Sequence, residues 1–158
     1  MSAPSTRSTA SGTSTRPERV LLLDTHVWIW HAEGDTRRVG RRTARLLKRE
    51  AAEDALRVSP LTVFELAHLC ASGRLHLTQA LDQWITTALH HGGVRLAPLT
   101  LEAAKDAGRM GSGAVSDPID RLLIATARQM DVLLVTRDRR ILDYAEGTSA
   151  VRVHDAST

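Results

Sequence analysis

Four carboxylates, spread along the chain, carry the chemistry that this sequence can perform. Asp24 closes the apolar run LLLD, Glu65 lies in SPLTVFELAHLC, Asp120 in DPIDRLLIA, and Asp138 ends LLVTRD. Val20-Leu21-Leu22-Leu23 and Val132-Leu133-Leu134-Val135 read as strands buried on both faces. Asp24 and Asp138 therefore stand just past strand ends, and Asp120 falls in the first turn of the helix before the second strand. In open parallel sheets, sites form at the carboxyl ends of strands, near the point where strand order reverses. Glu65, flanked by Val63, Phe64, Leu66 and Ala67, needs a compensating partner, because an unpaired buried charge is costly. Four acids at one sheet edge repel by a few kcal/mol per pair at ~5 Å and an effective dielectric of ~20. A divalent cation relieves that repulsion. Hard Mg²⁺ or Mn²⁺ prefers oxygen ligands and keeps waters, so a few carboxylates suffice. Such an ion generates hydroxide and stabilises charge at a phosphodiester.

Each acid also has a plainer role open to it. A strand-terminal Asp such as Asp24 or Asp138 commonly caps the next helix, and Asp117 and Asp120 fit an N-cap and an N3 acid favoured by the helix dipole. Glu65 fits a half-buried acid paired with a basic residue. For Asp117 the cap is the preferred reading. The combination of acids is harder to explain by capping alone.

The elements that must position these residues alternate in type. The pattern predicts a helix over 36–54, a short strand at 55–58, and a helix opened by Ser59-Pro60 and running to about Ser72. Leu81, Trp84, Ile85 and Ala88 fall at helical spacing, His91-Gly92-Gly93 stops that helix, and a strand follows at 94–97. Thr100 caps a helix ending near Gly108, Gly111-Ser112-Gly113 is a loop, and Asp117-Pro118 opens a helix to about Met130. A short helix near 139–145 and a strand at 151–153 complete the pattern. Such alternation implies an α/β fold class with a parallel sheet covered on both faces by helices. One domain over 20–155 is expected, with no internal repeat. Residues 1–19 are nearly all Ser, Thr, Ala and Arg, which cannot bury enough surface to offset ordering entropy, so a disordered tail is expected there.

LLLDTHVWIW, SPLTVFELAHLCASGRL, DPIDRLLIATA and LLVTRDRRI, in this order, resemble the four acidic motifs of PIN-domain nucleases, and more closely those of VapC-type toxins of bacterial toxin–antitoxin pairs. The likeness covers roughly 20–154. It implies a PIN-like three-layer α/β/α sandwich with a central, mainly parallel sheet, endoribonuclease activity dependent on Mg²⁺ with Mn²⁺ able to substitute, homodimerisation, and neutralisation by a cognate antitoxin. It also implies that Asp24 and Asp120 are direct metal ligands and that Glu65 holds a water of the ion or a second ion. Asp138 would support the cluster, often through water, and Thr136 would orient neighbouring carboxylates. Asp117 matches the subgroup as well, without a decided role. The loop 111–116 departs from the Pro- and His-containing segment of the family, which leaves its substrate contacts open.

Arg37, Arg38, Arg41, Arg42, Arg45, Lys48 and Arg49 form the densest basic run. On a helix, Arg38, Arg41, Arg42, Arg45 and Arg49 share one face, with Val39, Leu46 and Leu47 pointing elsewhere. A solvated face is the default for such a run, and an RNA or antitoxin surface the sharper reading. The seven histidines show no metal-ligand spacing, although His26 and His31 flank Trp28 and Trp30. Cys70 is most simply a packing residue. As the single cysteine it excludes an internal disulfide framework and suits a reducing cytoplasm.

The 158 residues carry 21 Lys and Arg against 18 Asp and Glu, a net +3 that permits a nucleic-acid partner. Aromatics make up 3%, too few for an extended base-stacking platform, so phosphate contacts are expected to carry RNA binding. No apolar run approaches the ~20 residues of a membrane span. A haloacid-dehalogenase-type phosphotransferase needs an Asp two residues after the first, where this chain has His26. A receiver-like module needs paired acids before the first-strand Asp loop and a late Lys, neither of which is evident, and no GxxxxGK[ST] phosphate loop occurs. The remaining alternative to an enzyme is a PIN-like module that only binds RNA or a partner. An acidic pocket of this kind also receives a guanidinium group. An inhibitory partner is therefore expected to insert an Arg beside Asp24 and Asp120, anchored on apolar surface around Trp28, Trp30 and the helix holding Glu65.

Overall fold

The structure, a computed structural model, describes residues 19–158, so the expected tail lies almost wholly outside the described residues. The elements run β1 (Leu21–Leu23), α1 (Thr25–Ala32), α2 (Arg41–Ala52), β2 (Leu56–Val58), α3 (Pro60–Ala71), α4 (Leu81–His91), β3 (Val94–Leu96), α5 (Leu101–Arg109), α6 (Gly111–Ala114), α7 (Pro118–Met130), β4 (Leu133–Thr136), α8 (Arg139–Thr148) and β5 (Val153–Asp155). The five strands form one parallel sheet in the order β3-β2-β1-β4-β5.

β1 is the spine of the molecule. Leu21, Leu22 and Leu23 are all fully buried, because alternating side chains of a central strand enter opposite layers. Leu21 and Leu23 join Val27, Trp28, Leu46, Leu47, Leu66, Trp84 and Ala88, the layer built by α1 to α4. Leu22 joins Leu123, Ile124, Ala127, Ile141 and Ala145, the layer built by α7 and α8. This is the expected three-layer α/β/α sandwich of a PIN-like fold.

Several boundaries differ from what the sequence pattern predicts. The pattern marks no element over 25–32, yet Thr25–Ala32 is a helix. Val27, Trp28 and Ile29 are buried in succession, so the segment lacks the one-sided apolar stripe by which helices are read. The helix expected over 36–54 begins only at Arg41. Gly40 is extended there, and a Cβ at that position would strike the backbone of Thr158, so the C-terminal residues and the start of α2 fit together only with glycine. Thr43 N and Thr43 Oγ1 both donate to Thr158 O, at 2.9 and 3.0 Å. The 111–113 loop is part of a single helical turn. The last strand lies at 153–155 rather than 151–153, since Val153 pairs with Leu134 while Val151 packs into the core before the ladder begins.

Candidate active site

Strand order reverses between β1 and β4: β2 and β3 follow on one side of β1, β4 and β5 on the other. Both strands deliver acids at that point. Asp24 N donates to Val135 O at 3.0 Å, which extends the β1–β4 ladder to the residue carrying the first carboxylate. Thr136, the last residue of β4, is fully buried, and its Oγ1 donates to Asp24 Oδ2 at 2.6 Å while accepting from Asp138 N at 2.9 Å. One hydroxyl thus ties the two strand ends together.

Thr25, the first residue of α1, does the same between Asp24 and Glu65. Its N–H donates to Asp24 Oδ1 at 2.7 Å and its hydroxyl donates to Glu65 Oε2. Glu65 arrives on α3, whose start is fixed by Ser59 Oγ accepting from Leu61 N at 3.2 Å, with Pro60 in the first turn. The compensating partner that Glu65 requires is therefore a hydroxyl rather than a basic residue.

Asp120 stands in the first turn of α7. Asp117 caps that helix, its Oδ1 accepting from Ile119 N at 2.8 Å and Asp120 N at 3.3 Å, so the capping reading of Asp117 holds. Asp120 Oδ2 is buried without a hydrogen bond. The Arg140 Nη2 lies 3.4 Å away but not in hydrogen-bonding alignment. Burial first, then the charges of Asp117, Asp138 and Asp24, push the Asp120 carboxyl up to about 7 against the pull of Arg140. Asp24 is likewise raised, by burial and by Glu65, against the hydrogen bonds from Thr136 and Thr25. Asp138 is held below the usual carboxylate range because Arg140 grips it. Arg140 Nε donates to Oδ1 at 3.2 Å, Nη2 to Oδ2 at 2.8 Å, and the Arg140 backbone N–H to Oδ1 at 2.8 Å. Asp24, Asp117 and Asp138 thus act together on the site of Asp120, with Glu65 joined through Asp24.

Among the described residues, no three His, Cys, Asp or Glu side chains already converge as a ligand set on one point. The chemistry of the donors nonetheless fits a hard divalent cation. The site offers only oxygens, one of them an orphaned buried carboxylate oxygen, and its charges repel until a cation joins them.

Two residues of the site carry little or no signal in the sequence. Thr25 announces itself weakly, as a hydroxyl directly after a strand-end acid. Arg140 is one of three arginines in RDRR, and only the start of α8 at Arg139 decides which one folds back onto Asp138.

Arg41, Arg42, Arg45, Lys48 and Arg49 of α2 are exposed, and Leu46 and Leu47 are buried, as the helical pattern predicts. Arg38 corrects that pattern. It precedes the helix, pairs with Asp35 at 3.3 Å, and does not share the α2 face. Its carbonyl accepts from Arg137 Nη1 at 2.7 Å, and the Arg137 guanidinium lies 5.5 Å from the Trp30 ring centroid. The loop carrying Asp138 is thereby joined to the approach to α2. His26 lies against the same Trp30 ring, centroids 5.8 Å apart. Trp28 is fully buried and packs edge-on against Trp84 at 5.1 Å, so it cannot anchor a partner. Trp30 instead lines, with His31, Val39, Leu47 and Trp84, a groove of about 820 Å³ bounded by α1, α2 and α4.

The family model of the PIN domain matches residues 21–147. Ribonuclease VapC22 of Mycobacterium tuberculosis (strain ATCC 25618 / H37Rv) is 32% identical over 124 residues, which cover 78% of this chain and 91% of the relative. The crystal structure of VapBC2 from Rickettsia felis bound to a DNA fragment from their promoter aligns with a TM-score of 0.63 at 11% identity, covering 86% of this chain and 98% of that one. DNA-bound VapBC from Salmonella typhimurium aligns with a TM-score of 0.58 at 15% identity, covering 87% and 98%. At such identities the two structures speak for the fold alone. The family model and the 32% relative go further: the chain belongs to the PIN-domain family.

Proposed function

We propose that this chain is a divalent-metal-dependent endoribonuclease, using Mg²⁺ with Mn²⁺ able to replace it, and that it acts as the toxin of a toxin–antitoxin pair. The observation that carries the reading is the buried Asp120 carboxylate beside the β1–β4 reversal, with one oxygen that no hydrogen bond satisfies and with the charges of Asp117, Asp138 and Asp24 acting on it. Likeness to a ribonuclease over most of the chain supports RNA as substrate.

Asp24 and Asp120 would hold the ion, which supplies a nucleophile at neutral pH and neutralises charge on the phosphodiester. Thr136 and Thr25 lock Asp24 with one hydrogen bond to each carboxylate oxygen, so its orientation is set before anything binds. Glu65, held by the Thr25 hydroxyl, would complete the oxygen set from the α3 side. Asp138 would act at a remove, fixing Arg140 and, through its backbone N–H, Thr136.

A cognate antitoxin would occupy the groove beside Trp30 and reach the acids with a guanidinium group, for which carboxylates are natural acceptors. A second copy of the chain would dock at the β3 edge, where Leu96, Leu99 and Leu101 are 51%, 41% and 74% exposed.

The test is cleavage of total RNA by the pure protein with and without Mg²⁺, followed by mapping of the ends. Asp24→Asn and Asp120→Asn should each abolish metal-dependent cleavage with an unchanged circular dichroism spectrum. Full activity in either variant sinks the assignment.

A further inference from the structure

α8 opens on an acid followed by two cations: the Asp138 carboxylate caps the helix, and Arg139 and Arg140 come directly after it. Its first turn holds Arg139 and Arg140 and no acid, although the positive end of the helix dipole prefers acids there. Arg139 finds Asp143 one turn on at 2.9 Å. Arg140 instead turns back across the helix start and lies between two carboxylates, 2.8 Å from Asp138 Oδ2 and 3.4 Å from Asp120 Oδ2. The two pairings are unequal. With Asp138 it forms a two-pronged, charge-assisted grip, whereas toward Asp120 it has proximity without hydrogen-bonding alignment. The Arg140 side chain is 59% exposed and that of Asp120 only 14%, so the guanidinium lies toward the surface and the carboxylate is more deeply buried.

From this arrangement, and resting on the metal-dependent reading above, we propose that Arg140 is the resident counter-ion of the acidic site and a positioning residue for RNA. In the metal-free protein Arg140 partly neutralises Asp120. It yields that place when a divalent cation arrives, keeps its anchor on Asp138, and turns its outer nitrogens to an RNA phosphate. Both halves follow from one property. A guanidinium has five donors in a planar fork, and Asp138 engages only part of it. Two cations cannot share Asp120 without repulsion, while a phosphate beside the ion gains from an adjacent guanidinium. Arg140 would therefore oppose the metal in the absence of RNA and assist RNA binding in its presence.

The experiment measures free Mn²⁺ by electron paramagnetic resonance during titration of full-length wild type, Arg140→Gln, Arg140→Lys, and Asp24→Asn as control, at pH 8. Removing a partly exposed pair partner is worth up to ~1 kcal/mol, so Arg140→Gln should bind Mn²⁺ about two- to fivefold more tightly than wild type. Arg140→Lys, which retains the charge, should stay near wild type. A second arm measures the affinity of a short single-stranded RNA against salt, with Ca²⁺ present or with no divalent ion, and checks that the RNA stays intact. With one phosphate fewer neutralised, the salt slope of Arg140→Gln should fall by about 0.7 with Ca²⁺ and stay unchanged without. If wild type binds Mn²⁺ and Asp24→Asn does not, yet Arg140→Gln binds no more tightly than wild type, the counter-ion role is overturned and the metal site stands. An unchanged slope with Ca²⁺ overturns the RNA role. Failure of wild type itself to bind Mn²⁺ removes the metal-dependent reading and this inference with it.

Discussion

Asp120 and Asp138 face the same guanidinium yet titrate in opposite directions. Burial and three like charges hold Asp120 up to about 7, while the Arg140 grip holds Asp138 below its usual range. For Asp120 the folded protein binds the proton more tightly than the unfolded chain does. Its ionisation therefore costs stability, and the cost builds up as pH rises from about 4 to about 7. For Asp138 the stabilising contribution is present above the unfolded value of 3.8 and is lost only as pH falls through the lowered folded value. The metal-free protein should accordingly melt higher at pH 5 than at pH 8. Asp120→Asn should remove part of that difference, raising stability at pH 8 by about 1 kcal/mol once solvent screening is allowed for, and the raised Asp24 should account for a further share. Mg²⁺ should stabilise wild type more at pH 8 than at pH 5, because protons and metal compete for the same oxygens. Calorimetric melting curves at the two pH values, with and without Mg²⁺, check all three; a wild-type curve indifferent to Mg²⁺ counts against a clustered site. Thr25 allows a separate prediction. Thr25→Val keeps the volume but strips Glu65 of its donor, and should lower kcat for RNA about ten- to a hundredfold, as removal of a ligand's supporting hydrogen bond commonly does. At this scale the acids are legible in the sequence because four of them recur in order beside apolar strand runs and helix starts, a combination that capping alone does not explain. Capping and clustering prove compatible, since Asp24, Asp117 and Asp138 each cap a helix. Thr25 and Arg140 are not legible, because their roles depend on which way one side chain turns.

Among the elements, the strands β1 to β4 and the helices α3, α5 and α7 are readable from apolar runs and caps. Ser59, Thr100 and Asp117 all accept from the backbone N–H groups that their positions predict. α1 is not, because burial on several sides erases periodicity. α2 is readable in kind but not in extent, since the packing that sets its start comes from Thr158, at the far end of the chain. What α2 does follows from its surface. Arg41, Arg42 and Arg45 stand clear of carboxylates within salt-bridge distance among the described residues, and Arg137 links the approach to this helix with the loop of Asp138. If RNA crosses from the acids to α2, replacing Arg41, Arg42 and Arg45 by Ser should lower the salt slope of RNA binding by about 0.7 for each phosphate no longer neutralised. The stabilisation by Mg²⁺ should stay as in wild type. Binding and melting measured on the same triple variant separate the two, and an unchanged salt slope would return the face to plain solvation.

At the scale of the whole molecule, the sheet order decides when the site can exist. The β1–β4 pair forms its centre, yet β1 begins at Leu21 and β4 at Leu133, so synthesis of the first strand long precedes that of its partner. Asp24 and Glu65 belong to the early half, and Asp120, Thr136 and Asp138 to the late half. A ribosome that has released only the first ~100 residues therefore displays β1 as an open edge, apolar on both faces and lacking its partner. No part of that nascent chain can close the Thr136–Asp24 bond. The consequence is a delay between translation and activity. A toxin built this way would be harmless while it is being made, and chains broken off before β4 would be inert and prone to strand-to-strand association. Ribosome-stalled chains ending near 130 should differ sharply from chains extended past Thr158 by a linker long enough to clear the exit tunnel. Only the second set should resist protease and cleave RNA in the presence of Mg²⁺, and activity in the shorter set would contradict the coupling of the site to β4.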